Sequence, residues 1–129
     1  MSLEFDEKNK KLARDLREIL TELGRITNGG YEILDMSDNK IELYAELSDN
    51  QFKQLRDWLR SNRFVDFNIR NIALSYHKDY EIFYNKAKYT KIDNDGNYTD
   101  NSLILEYYII ESHDKKYYIL QKIYFEGRK

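Results

Sequence analysis

Beyond Arg63 the strand-like runs of this chain carry apolar residues at both odd and even positions, and that pattern constrains the fold more than any other feature. Leu103-Ile104-Leu105-Glu106-Tyr107-Tyr108-Ile109-Ile110 and Tyr117-Tyr118-Ile119-Leu120 leave no polar side along most of their length. Successive residues of a strand point to opposite faces, so each adjacent pair, Tyr107/Tyr108 and Tyr117/Tyr118, sets one ring on either side of a sheet. Strands of this kind belong at the centre of a sheet and need cover on both faces. Ten of the twelve tyrosines fall between Tyr76 and Tyr124. A tyrosine offers a rigid apolar ring with a polar tip, which suits a core margin, a partner interface or a stacking platform.

Other segments supply candidate cover. Leu12, Leu16, Ile19, Leu20 and Leu23 recur at helical spacing, with Phe5 and Ala13 on or beside the same face and Arg14/Glu18 as a solvent-side pair. Gly24 is a natural helix stop and Asn28-Gly29-Gly30 a loop, so this helix is expected to end near Leu23. Period-two alternation then begins: Tyr31 to Met36 and Lys40 to Leu47 flank Ser37-Asp38-Asn39 as a hairpin with an acidic outer face. Ser48 and Gln51 form a capping box, and Leu47 and Phe52 a hydrophobic staple, at the start of a second helix with Phe52, Leu55, Trp58 and Leu59 on its apolar side. That helix is predicted to run to about Ser61.

Strands are predicted at Phe64 to Ile69, Ile72 to Tyr76, Tyr80 to Ile92, Leu103 to Glu111 and Tyr117 to Phe125. The alternation Val65, Phe67, Ile69 slips by one residue to Ile72, Leu74, Tyr76, which points to a bulge or bend near Arg70-Asn71, in one strand or between two. Turn-rich Asp93 to Asn97 and Ser112 to Lys115 make the last three strands an antiparallel meander. The expected fold class is α+β: α-β-β-α followed by four or five antiparallel strands, one domain over residues 1–129, both helices packed on one sheet face.

Composition limits the chemistry. The chain has 129 residues, enough to bury a core unaided, and no cysteine, which removes disulfides, thiol catalysis and cysteine zinc sites and suits a reducing cytoplasm. Neither a signal-like apolar stretch at the amino end nor about 18 consecutive apolar residues anywhere is present, so no membrane association is expected. The absence of proline, with abundant Asn, Lys, Ile and Tyr, suits an AT-rich genome, bacterial or viral. Charge is uneven beneath a net of -2: residues 31–50 hold six acidic side chains against one basic, and residues 51–78 six basic against two acidic. The acidic balance disfavours bulk affinity for nucleic acid but leaves room for a local basic face.

No constellation names a reaction. Asp93, Asp95 and Gly96 match landmarks of a calcium loop, but in that register the first ligand position falls on Lys91 and the last on Ser102, with strands where helices are required. Ser112-His113-Asp114 has the residue types of a hydrolase triad, yet neighbours in a tight turn cannot reach one another in those roles. His77 and His113 are the only histidines. Gly29 and Gly30 follow a helix and precede a strand, the reverse of a phosphate-cradling loop. An enzyme would require Asp93, Asp95 and Asp100 to converge with a histidine, and nothing in the spacing forces that. No catalytic residue, metal or cofactor is expected.

Two binding readings remain. In the preferred one, two helices cover one face of the sheet and leave the other, rich in tyrosine, for a protein partner or a second copy of the chain, with Tyr84, Tyr108, Tyr118 and Tyr124 as the contact residues. A curved sheet closing over a second core of its own is the alternative arrangement. The other reading is nucleic-acid binding: Lys53, Arg56, Arg60 and Arg63 recur at spacings of three, four and three, a stripe that could hold phosphates while sheet tyrosines stack on bases. Affinity falling steeply with salt would mark nucleic acid, and near-insensitivity to salt an apolar protein contact.

Overall fold

The helices form where the apolar spacing is helical and the sheet where it is two. A computed structural model of the chain describes residues 14–76 and 78–126, with the side chains of 66–71, 73, 75 and 76 left aside. Helix α1 spans Arg14–Thr27 and buries Leu16, Ile19, Leu20, Leu23 and Ile26; Phe5, Leu12 and Ala13, assigned above to its face, lie outside the described residues. The helix does not stop near Leu23. Gly24 lies inside it, and the chain turns at Asn28 and Gly29, whose φ values are 56° and 78°. The Gly29 N–H donates to the Gly24 carbonyl at 2.9 Å, the closing bond of a Schellman turn, so the left-handed position falls on Asn28 rather than on the earlier glycine.

Helix α2, Asp49–Ser61, begins where its capping box predicts. The Gln51 N–H donates to Ser48 Oγ at 3.1 Å, and the Ser48 N–H donates to Gln51 Oε1 at 2.9 Å. Gln51 Nε2 also donates to the Ile26 carbonyl at 3.3 Å, which ties the start of α2 to the end of α1. Phe52, Leu55 and Leu59 face inward.

Six strands, β1 (Tyr31–Met36), β2 (Lys40–Ser48), β3 (Phe64–Tyr76), β4 (Tyr80–Ile92), β5 (Tyr98–Ser112) and β6 (Lys116–Glu126), make one sheet in the order β1-β2-β6-β5-β4-β3. Every neighbouring pair is antiparallel. Strands β3 to β6 are the expected meander, and the β1–β2 hairpin adds to its end through β2 and β6, which puts the doubly apolar strands β5 and β6 in the middle. The fold is therefore α+β, with both helices on one face. The sheet does not close: β1 and β3 are its two ends.

Two sequence expectations for the strands need correcting. Residues 64–76 form one strand, and its ladder with β4 shifts between Asp66 and Asn68 and again between Ala73 and Ser75, not at Arg70-Asn71. Irregularities at these places twist an edge strand away from flatness, a common way to blunt a free edge. Strand β5 begins at Tyr98 rather than Leu103, because Tyr98 still pairs with Ile92 across the turn.

Beneath the helices, Ile41, Leu43, Ala45 and Leu47 of β2, Leu120 and Ile123 of β6, Leu103 and Leu105 of β5 and Ala87 and Tyr89 of β4 complete a single apolar core. The Phe52 ring stacks on Tyr118 at 4.1 Å between centroids and 7° between planes, and it meets Tyr107 at 4.7 Å. These contacts fix which side of each strand the helices cover.

Candidate functional site

Ladder register assigns the alternate residues of β4, β5 and β6 to the other face. Starting from Tyr107 on the helix side, the pairs Tyr84↔Tyr108, Tyr108↔Ile119, Ile82↔Ile110 and Ile110↔Tyr117 place all six of these apolar side chains on the opposite side of β4, β5 and β6. None of the six is fully buried and none is fully exposed. The rings of Tyr84 and Tyr108 touch, 5.5 Å apart at 60°. Among the described residues neither helix lies on that side, yet the side chains there are partly covered. Ile104 shows how far it goes: it is only 1% exposed yet stands outside the helix-side core. At the flanks Tyr44 and Ile72 remain 44% and 47% exposed.

Three of the four contact tyrosines expected from sequence share this open face: Tyr84, Tyr108 and Tyr124. Tyr118 does not. It is buried on the helix side, where its hydroxyl donates to Asp49 Oδ1 at 2.9 Å. The reason is a bulge: Glu106 pairs with Lys122 but Tyr107 pairs with Leu120, so Gln121 is an extra residue that reverses the facing of everything before it in β6. Tyr117 and Ile119 therefore take the place that simple alternation from Tyr124 gives to Tyr118. Burial first, then the bond to Asp49, pushes the Tyr118 hydroxyl up to about 12. Tyr124 is held in place on the open face by donation to Glu106 Oε2 at 2.6 Å, and desolvation followed by that bond raises its pKa as well.

The basic stripe lies on the far side of the molecule from these tyrosines, since it belongs to α2. Lys53 and Arg60 are exposed, whereas Arg56 is half-buried with its guanidinium 5.5 Å from the Phe52 ring centroid. Arg63 is beyond the helix end, at φ 69°, and its guanidinium donates to Asn94. The four cations do not form one even row, and the stripe and the open sheet face lie on opposite sides of the sheet.

The acidic loop has a structural occupation. Asp93 Oδ1 accepts from the Asp95 N–H at 2.9 Å and the Asn97 N–H at 3.0 Å, and Gly96 supplies a φ of 85°. Asp93 thereby closes the turn that Asp-Gly chemistry favours. His113 is exposed in the β5–β6 turn, where the Ser112 N–H donates to the Lys115 carbonyl at 2.8 Å, and His77 lies outside the described residues. Among the described residues no group of three or more His, Asp or Glu stands together as a metal-binding set, and no helix is long and apolar enough to cross a membrane. Compared with known protein families, curated proteins and solved structures, the chain matches none.

Proposed function

We propose that this chain is a non-catalytic association module, acting inside the cell, that engages a protein surface through the open face of its sheet. One observation carries the reading: β4, β5 and β6 present Tyr84, Tyr108, Tyr117, Ile82, Ile110 and Ile119 on a side that no helix covers among the described residues. Contiguous apolar surface of this kind, bordered by charge, is what protein partners cover. Tyrosine at the centre of an interface supplies much contact area for few rotatable bonds, and truncating such a residue commonly costs about 2 kcal/mol or more of binding. A small regulatory or inhibitory protein that occupies a partner's surface, or its own copy's, fits this design.

The reading is checked with a dye that fluoresces on apolar surface, applied to dilute native protein. Native chain should bind it, and Ile119→Lys should lower the signal severalfold while the unfolding transition stays cooperative. Ile119 is half-buried and sits apart from the helix-side core, so a lysine there can carry its charge to water. Absence of dye binding together with absence of any association would remove the proposal.

A further inference from the structure

One row of the open face is charged from edge to edge. Following the ladders across the sheet, Asp35 pairs with Glu42, Glu42 with Lys122, Lys122 with Glu106, Glu106 with Lys86, and Lys86 with Arg70. In strand order the signs read minus, minus, plus, minus, plus, plus. Arg70 completes the row by its place in the ladder. Such a row changes sign through its own midline, which falls between β6 and β5: each residue has a partner of opposite charge at the same distance on the other side.

We propose that two copies of this chain dock open face to open face about a two-fold axis that runs parallel to the strands between β5 and β6, the charged row setting the orientation. This rests on the reading of the open face as an association surface and adds its occupant. A rotation of 180° about that axis lays β1 of one copy over β3 of the other, β2 over β4 and β6 over β5. Glu42 then faces Lys86 and Lys122 faces Glu106, with the signs opposed, and the ladder position of Asp35 comes over that of Arg70. The other in-plane two-fold, along the row itself, sets each charge over its own copy and is repulsive throughout. Aligned packing of two sheets about 10 Å apart is an ordinary arrangement, and Lys and Glu side chains span that gap.

Lys122 stands between two carboxylates, and Glu106 between two lysines. Asp35 and Glu42 are like charges directly opposite in a ladder, which is destabilising; Lys40 Nζ, 3.1 Å from Glu42, offsets part of this. The second copy brings Lys86 to the acidic end at Glu42. On one side of the row Ile119 of one copy comes over Tyr108 of the other; on the other side Tyr124 comes over Ile104, and Lys40 comes over Lys88, each of these lysines being paired within its own chain, with Glu42 and Glu126. The apolar rows supply affinity and the charged row supplies orientation, the usual division of labour at an interface.

Sedimentation of wild type, Glu42→Lys, Lys86→Glu and their equimolar mixture tests the proposal, with circular dichroism confirming that each variant is folded. Wild type should approach twice its 15.7 kDa mass as concentration rises. Each single variant sets like charges against one another at two symmetric places and should weaken self-association about tenfold or more. Mixing them should restore a dimer, because residue 42 of each then faces the opposite charge at residue 86 of the other. A mixture that stays as dissociated as its components overturns the proposal, as does a wild type that is monomeric at every concentration. Association lost in Ile119→Lys but indifferent to both charge reversals overturns this docking geometry and leaves the association face standing. Association indifferent to Ile119→Lys removes both.

Discussion

Tyr117 and Tyr118 are neighbours with opposite tasks, and the difference is one residue of register. Tyr118 packs on Phe52 and gives its proton to a hydrogen bond with Asp49, whereas Tyr117 lies on the open face. Replacing Tyr118 with Phe keeps the ring contact and removes the bond, so unfolding by urea at pH 7 should show a loss of about 1 kcal/mol. The same hydroxyl links stability to pH. Its pKa rises from 10.0 to about 12 in the folded chain, so the folded state holds the proton more tightly. Its contribution is complete below pH 10 and is lost as pH climbs through about 12. Tyr118→Phe should accordingly lose less stability than wild type over that alkaline window, and equal slopes for the two proteins would argue against the bond. Tyr124, raised in the same direction, leaves a residual slope in both.

Among the elements, local chemistry marks the start of α2 and misleads about the end of α1. The Ser48/Gln51 box acts within four residues and reads directly from sequence; Ser48→Ala should cost about 1 kcal/mol in thermal or urea unfolding. Gly24 has the composition of a stop but sits in helical backbone with the Tyr31 ring lying near it. A Cβ at Gly24 would meet that ring at 3.6 Å, an ordinary contact, so Gly24→Ala should stabilise the protein by about 0.5–1 kcal/mol. A destabilised Gly24→Ala would mean the helix is not regular there. The strands teach a related lesson. Where one face is apolar and the other polar, a slip in register can show as a break in alternation, but along β3 the break at Arg70-Asn71 does not coincide with the ladder shifts at 66–68 and 73–75. Strand β6 is apolar on both sides, so the extra residue Gln121 leaves no trace in the pattern, and the facing of Tyr118 could not be read. Two helices, the acidic hairpin and the meander were legible because each is set by neighbours in sequence. The joining of β2 to β6 was not, because it is a contact between segments about 80 residues apart in the chain.

At the scale of the whole molecule, the two described helices lie on one side of a six-stranded sheet, and among the described residues no helix lies on the other. Ile104 is buried on that face, so the face is less bare than the sequence alone suggests, but it has no second layer among the described residues. The charged row was invisible in the sequence for a simple reason: its six members come from six strands, and only the register brings them into line. The acidic excess of residues 31–50, legible from the start, supplies the β1–β2 end of that row through Asp35 and Glu42, whereas most of the basic excess of residues 51–78 goes to α2 on the other side of the sheet. Light scattering of the native chain and of Ile119→Lys over a wide concentration range asks the central question most directly, whether the open face is an association surface. The expected result is a mass that rises with concentration for the native chain and stays at 15.7 kDa for the variant; one constant mass for both, with no dye-binding surface on either, would contradict it.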